Sequence, residues 1–164
     1  IQGHVRGNAV LRFAKLLTLA VFCWGLLVPV VVSGQETMRV ETVTVTTAKG
    51  AFQFRTEIAD TTPTRERGLM FRKTMPQDTA MLFIWDRPMV AAMWMQNTYV
   101  SLDMLFIAGD GTVRHVAENT KPLSRDIVSA GVEVAAVLEL VAGTARRIGL
   151  KAGDKVAHSI FDGS

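Results

Sequence analysis

Two carboxylates interrupt apolar runs that are typical of β-strands. Asp103 lies in YVSLDMLFI and Glu139 lies in AAVLELVA, and in a strand each shares its face with long or branched apolar side chains. Because an unpaired buried carboxylate is costly, each is expected to have a partner or to be protonated. Arg67 and Arg72 are the candidate partners, since a guanidinium can bind a carboxylate through two hydrogen bonds.

The two carboxylates have a structural and a catalytic interpretation. In the first, they form a network that fixes strand register and attaches the arginine-bearing segment to the sheet. In the second, Asp103 or Glu139 lines a polar pocket and acts as general acid or base with a shifted pKa, while an arginine binds an anion. Structural networks also shift pKa values, so the pattern leaves both interpretations open.

The segment MWMQNTYV suggests a ligand-binding cleft in the same region. It places Trp94 and Asn97 a few residues before Asp103. Together with Arg67 or Arg72, these residues form a set suited to a small polar ligand, because the indole offers contact area and the polar groups give orientation.

A methionine pair in this segment has a metal-binding interpretation. In a strand, Met93 and Met95 point to one face and Trp94 to the other. Thioethers are soft ligands for Cu(I), so the pair suggests a copper carrier. The alternative is that both methionines fill the core, where sulfur packs favourably against aromatic rings. No histidine flanks the pair, which favours the core interpretation over a metal site.

Several well-known sites are excluded by their motifs. The sequence has no GxSxG elbow, no Gly-rich phosphate loop and no HExxH pair. His115 and His158 are far apart, without metal-ligand spacing, and are interpreted as ordinary strand residues. We therefore predict no cofactor.

Residues 1–34 are typical of a signal peptide. Arg6, Arg12 and Lys15 precede the apolar run LLTLAVFCWGLLVPVVV, and Val32-Ser33-Gly34 resembles a cleavage site. We expect a periplasmic or secreted protein after cleavage; the alternative is an uncleaved N-terminal membrane anchor. Membrane contact is expected only through this segment.

Removal of that segment changes the charge balance and the cysteine count. All 15 acidic residues and 15 of the 18 basic residues follow Gly34, so the remainder carries no excess positive charge. Phosphate binding needs such an excess, and a nucleic-acid partner is not expected. Cys23, the single cysteine, lies within the segment, which excludes a disulfide or a thiolate site in the mature domain.

The rest of the chain predicts one mainly β domain. After a flexible lead at 35–41, about eight short runs of β-branched and aromatic residues, separated by turn residues, occupy 42–164. The predicted strands include 93–100 and 155–161. A short helix is expected near 62–72 and a helical turn near 144–150. This pattern favours an antiparallel sandwich or open barrel, jelly-roll-like in its organisation.

Four motifs resemble a known prokaryotic family, domain of unknown function 192. They are TRERGLMFR, MLFIW, MWMQNTYVSLDMLFIAGDGTV and VLELVAGTARRIGLKAGDKV, and the likeness covers about 42–158. Gln96 stands where the family usually has lysine, and Val100-Ser101 replaces a more typical Ile-Pro. The resemblance implies a jelly-roll-like β-sandwich, often behind a signal peptide, and it implies no reaction.

Three functions follow from these observations. The first is an exported, non-enzymatic domain that binds a small polar ligand or an envelope protein through Arg67, Arg72, Trp94, Asn97 and Asp103. The second is a hydrolase- or lyase-type enzyme that uses Asp103 and Glu139 as general acid and base. The third is a periplasmic Cu(I) carrier that uses Met93 and Met95.

Overall fold

The computed structural model describes residues 37–161, which form seven strands and three short helices. The strands are β1 (Val40–Thr47), β2 (Gly50–Ala59), β3 (Thr79–Val90), β4 (Leu102–Ile107), β5 (Val113–Ala117), β6 (Glu133–Val141) and β7 (Lys155–Ala157). The helices are α1 (Thr62–Arg67), α2 (Thr144–Ile148) and a 3-10 helix (Ser159–Phe161). The predicted signal segment, with Cys23, lies outside the described residues. No helix within 37–161 has the length and hydropathy of a membrane span.

The strands form a single mixed sheet that curls into a half-barrel. Their order is β5-β4-β6-β3-β2-β1-β7. All neighbours are antiparallel except β2 and β3, which run parallel. The parallel pair follows from the long connection through α1, because such a pair needs a crossover rather than a hairpin. The prediction of a mainly β open barrel is confirmed, with one curled sheet in place of two packed sheets.

Successive side chains along each strand point to opposite faces of the sheet, so the buried apolar residues form two clusters, one on each face. One face, here called the α2 face, packs Leu138 and Leu140 of β6 against Ala145 and Ile148 of α2. The other, the α1 face, carries a second buried apolar cluster. That cluster includes Leu69, Met81, Phe83, Met93, Met104 and Val137. Successive residues of one strand therefore enter different environments.

Both predicted helical segments are confirmed, in slightly shorter form. Helix α1 begins with a capping box, in which the Thr61 side chain accepts from the Thr64 amide and the Thr64 side chain accepts from the Thr61 amide. It ends at Gly68, whose φ of 46° is in the left-handed region. Val40 and Glu41, which were predicted to belong to the flexible lead, form the start of β1, and the Arg39 side chain pairs with Glu41 and Asp60.

Two predicted strands differ in the structure. Residues 93–100 form an extended loop, joined to the rest of the chain by an isolated bridge between Met93 and Val128. A turn at Asn97, where φ is 57°, prevents the segment from continuing as a strand. At the other end of the chain, β7 covers only Lys155–Ala157, and the 3-10 helix replaces the remainder of the predicted strand.

Candidate functional site

A cavity of about 270 Å³ opens on the α1 face of the sheet. Its walls come from α1 and the following turn, from β3 and β6, and from the loop after β3. The apolar lining consists of Leu69, Met70, Phe83, Trp85, Met93 and Trp94. Ligand pockets for drug-sized molecules measure roughly 300–1,000 Å³, so this cavity suits a smaller molecule.

Arg65 and Gly68 position helix α1 against the sheet. The guanidinium of Arg65 donates to the carbonyl oxygens of Asp60 and Ile84, at 2.6 Å and 2.8 Å. Gly68 then lets the chain turn close to β3, where an added Cβ would lie 3.0 Å from the ring of Phe83. These contacts hold the helical wall of the cavity against its strand wall.

Glu139 lies at the sheet end of this cavity. In the register of β6 with its two neighbours, it stands between Met81 of β3 and Met104 of β4. Its side chain is nearly inaccessible, with 4% of the residue exposed. Burial raises the pKa of Glu139 to about 8, because desolvation disfavours the charged carboxylate.

The carboxyl group of Glu139 has no partner within residues 37–161. Among the described residues it makes no hydrogen bond and no ion pair. Within 37–161, every fully enclosed side-chain oxygen or nitrogen does have a partner, so the Glu139 oxygens must open onto the cavity. A hydrogen-bonding group therefore points into an otherwise apolar recess.

Trp94 lies at the mouth of the cavity and is 50% exposed. The alternation predicted for Met93, Trp94 and Met95 is present, even though the segment is a loop. Both methionines are buried in the α1-face cluster, and the Met95 sulfur accepts a hydrogen bond from Thr120 Oγ1 at 3.2 Å. The solvent-facing methionine pair that a copper carrier would need is not formed.

Asp103 lies on the opposite face of the sheet and is fully buried. Its two carboxylate oxygens each accept a backbone amide, from Asn119 and from Ala145, both at 2.8 Å. In the register of β4 with β6, Asp103 is paired with Leu140 and Met104 is paired with Glu139. Since paired residues share a face, the two carboxylates point to opposite faces of the sheet. The predicted joint site of Asp103 and Glu139 is therefore not assembled.

The predicted arginine partners of Asp103 are not observed in the described residues. Arg72 binds Glu57 instead, through two hydrogen bonds of 2.6 Å each. Arg67 is exposed and lines the cavity, and its guanidinium carbon lies 5.9 Å from the centre of the Phe71 ring. The partner prediction was wrong because backbone amides, which no sequence motif marks, satisfy Asp103.

Asn97 supports the cavity without lining it. Its Nδ2 donates to the sulfur of Met70, at 3.9 Å, and its carbonyl oxygen accepts from the Phe71 amide, at 2.8 Å. Of the predicted cleft residues, the structure thus brings Arg67 and Trp94 together, and it adds Glu139. Asp103, Arg72 and Asn97 lie outside the cavity lining.

Comparison with known proteins places these residues in a family. A family model matches residues 43–158; it is DUF192, described as "Uncharacterized ACR". The chain belongs to the DUF192 family. No curated protein matches the chain.

Two solved structures are similar to this DUF192 chain. One is a "putative transcription regulator" from Sinorhizobium meliloti 1021, 42% identical, with a TM-score of 0.75, covering 77% of this chain and 99% of that chain. The other is a protein of unknown function from Novosphingobium aromaticivorans DSM 12444, 38% identical, with a TM-score of 0.72, covering 77% and 89%.

Sequence reasoning missed part of this DUF192 cavity. Phe83, Trp85 and Met70 line it and were not among the predicted site residues. They belong to the motifs MLFIW and TRERGLMFR, which therefore contained the signal. No group of three or more His, Cys, Asp or Glu side chains in the described part of the chain is arranged to hold a metal ion.

Proposed function

We propose that this protein is an exported domain that binds a small polar ligand in the cavity between α1 and the sheet. The observation that carries the proposal is the Glu139 carboxyl, which no described residue binds, at the inner end of a cavity with an exposed Trp94 at its mouth. A buried polar group without a partner costs free energy, and a ligand that supplies one recovers it.

The composition of the cavity supports a binding role. Apolar and aromatic walls supply contact area, while a small number of polar groups give orientation, as in ligand pockets generally. Trp94 offers a large surface that is half exposed, and Arg67 offers a charge at the same cavity.

Export is proposed from the sequence of residues 1–34, with their basic start and long apolar run. The balanced charge after Gly34 does not favour a nucleic-acid partner, although the relative from Sinorhizobium meliloti is described as a "putative transcription regulator". Cell fractionation and the intact mass of the purified protein test this part. A cytoplasmic protein of full mass would contradict it.

The binding proposal is tested by a thermal-shift and tryptophan-fluorescence screen of small polar compounds on the purified protein. A ligand that binds the folded state raises its melting temperature with concentration. We expect hits that Trp94→Ala weakens and Tyr99→Ala leaves unchanged. Tyr99 is the matched control, because it is also 50% exposed but does not line the cavity. Hits that are indifferent to Trp94→Ala would place binding elsewhere.

Catalysis by Glu139 alone is the second candidate function. Because the pKa of Glu139 is about 8, its carboxyl group is mostly protonated at neutral pH, as a general acid must be. Groups in clefts whose pKa is shifted in this way are candidates for catalysis. Each hit is incubated with the protein and followed by mass spectrometry. Turnover that Glu139→Gln abolishes while binding persists supports the enzyme; binding without turnover supports the binding protein.

A further inference from the structure

The chemistry of the cavity indicates which class of ligand it accepts. We propose that the ligand is a small protonated amine, whose ammonium group pairs with Glu139 while its hydrocarbon part lies against Trp94. This inference rests on the proposed binding function and specifies it. It is carried by the polar group at the inner end, by the cavity walls and by the positions of the nearby charges.

The inner end of the cavity presents the Glu139 carboxyl, which as a carboxylate accepts hydrogen bonds from a ligand. Glu139 is the polar side chain that β6 contributes, and it makes no bond to any described residue. The hydroxyl of Thr98, also in the lining, is occupied by the carbonyl oxygen of Gln96, at 3.3 Å. An ammonium group supplies donors and a compensating charge at once.

The walls around Glu139 favour a cation with an organic body. Phe83, Trp85 and Trp94 line the cavity together with the thioethers of Met70 and Met93. Aromatic faces attract a desolvated cation, and tryptophan does so most strongly. The same surfaces contact the hydrocarbon part of an amine.

The charges near the cavity leave Glu139 free to receive a cation. Besides Glu139, three ionisable residues line the cavity, all on α1: Arg65, Glu66 and Arg67. The Arg65 guanidinium is held by two carbonyl oxygens, and that of Arg67 lies beside Phe71.

The strands beside β6 add no competing charge next to Glu139. β3 and β4 place Met81 and Met104 directly beside it. One strand further on the same face, Glu57 stands opposite Met81 and is already neutralised by Arg72. No arginine or lysine of the described residues therefore forms an ion pair with Glu139.

Amine binding must release a proton, which gives the proposal a specific signature. Glu139 is mostly protonated at neutral pH, since its pKa is about 8. When the ammonium group pairs with the carboxylate, the carboxyl proton passes to solvent and the amine keeps its own. The apparent Kd should fall about tenfold per pH unit between roughly pH 6 and 7, and level off above about 8.

Three molecules that share one ring separate the possible ligand classes: benzylamine, benzyl alcohol and benzoate. Titration calorimetry of the purified protein at neutral pH, in two buffers of different ionisation enthalpy, gives the affinity and the proton release. We expect benzylamine to bind at least about tenfold more tightly than benzyl alcohol and to release a proton. Benzyl alcohol should bind without proton release and without pH dependence.

Two glutamates on one strand provide the matched variants. Glu139→Gln should remove the preference for benzylamine and its proton release while benzyl alcohol still binds. Glu133→Gln, which makes the same substitution at the exposed start of β6, should leave every affinity unchanged. The amine proposal is overturned if Glu139→Gln leaves benzylamine binding intact, or if Glu133→Gln weakens it equally.

The outcomes also separate this inference from the proposed function. If benzoate or benzyl alcohol binds best and Trp94→Ala abolishes that binding, the cavity is a ligand site and the amine class is wrong. If none of the three binds up to millimolar concentration, neither the amine nor an aromatic-lined binding cavity is supported, and both proposals are overturned.

Discussion

Asp103 and Glu139 are two buried carboxylates on neighbouring strands of one sheet, and they have opposite surroundings. Asp103 faces the α2 face, where two backbone amides bind its oxygens. Glu139 faces the α1 face, where no described residue binds it and a cavity opens instead. Both are buried carboxylates on paired strands, so the supply of partners accounts for the difference.

A third carboxylate, Glu57, lies between these extremes. It is partly exposed and bound by Arg72, whose hydrogen bonds lower its pKa. The three acids thus represent three solutions to the desolvation of a carboxylate: backbone donors, an arginine, and a raised pKa. Only the third leaves a group available to a ligand, and the predictions below compare the three.

The largest effect is expected from Asp103→Ala. The substitution leaves the amides of Asn119 and Ala145 without acceptors in the interior. We expect the free energy of unfolding to fall by about 3–6 kcal/mol, since each lost bond to a charged acceptor costs about 1.5–3 kcal/mol. Urea unfolding measures it. Asp103→Asn keeps one acceptor oxygen, so its free energy of unfolding should lie between those of Asp103→Ala and wild type. A loss below about 1 kcal/mol for Asp103→Ala would contradict the structural role of Asp103.

Glu139→Gln should have the next largest effect, in the opposite direction and dependent on pH. Between about pH 4.5 and 8 the folded protein holds one more proton at Glu139 than the unfolded chain, so wild-type stability falls as pH rises. Each pKa unit corresponds to about 1.4 kcal/mol, so the shift from 4.5 to about 8 sets an upper limit of about 5 kcal/mol, and we expect the variant to be more stable by a few kcal/mol at pH 8. Urea unfolding from about pH 5 to 8 tests this. Parallel curves for the two proteins would rule out the raised pKa.

Glu57→Gln should have the smallest effect, with the pH dependence reversed. The lowered pKa of Glu57 contributes stability above the unfolded pKa, and that contribution is lost as pH falls through the folded pKa. We expect a cost of about 1 kcal/mol at neutral pH, because the pair is partly exposed, and none at strongly acidic pH. A double-mutant cycle with Arg72→Gln measures the pair itself. A coupling energy that does not change on acidification would contradict this interpretation.

Local sequence patterns predicted most of the fold. Alternation of apolar residues identified the strands that carry Asp103 and Glu139. The loop at 93–100 was predicted as a strand because its residues alternate as a strand does. Its backbone bonds instead to the segment near Val128, a contact between distant parts of the chain.

The candidate site was predicted only in part. Trp94, Arg67 and Glu139 were each singled out, but the cleft was expected to contain Asp103 and Arg72. Which arginine meets which acid depends on how α1 and its following turn lie on the sheet, and the structure directs Arg72 to Glu57. That geometry arises from packing and leaves no mark in the spacing of the residues.

The sequence by itself determined the β class, the burial of both acids and the membership of a family, because periodicity and motifs are local properties of the chain. Only the tertiary structure decided that one acid is satisfied and the other is open to a ligand. The physical reason is the register between β4 and β6: paired residues share a face, so pairing Asp103 with Leu140 and Met104 with Glu139 sends the two carboxylates to opposite sides of the sheet.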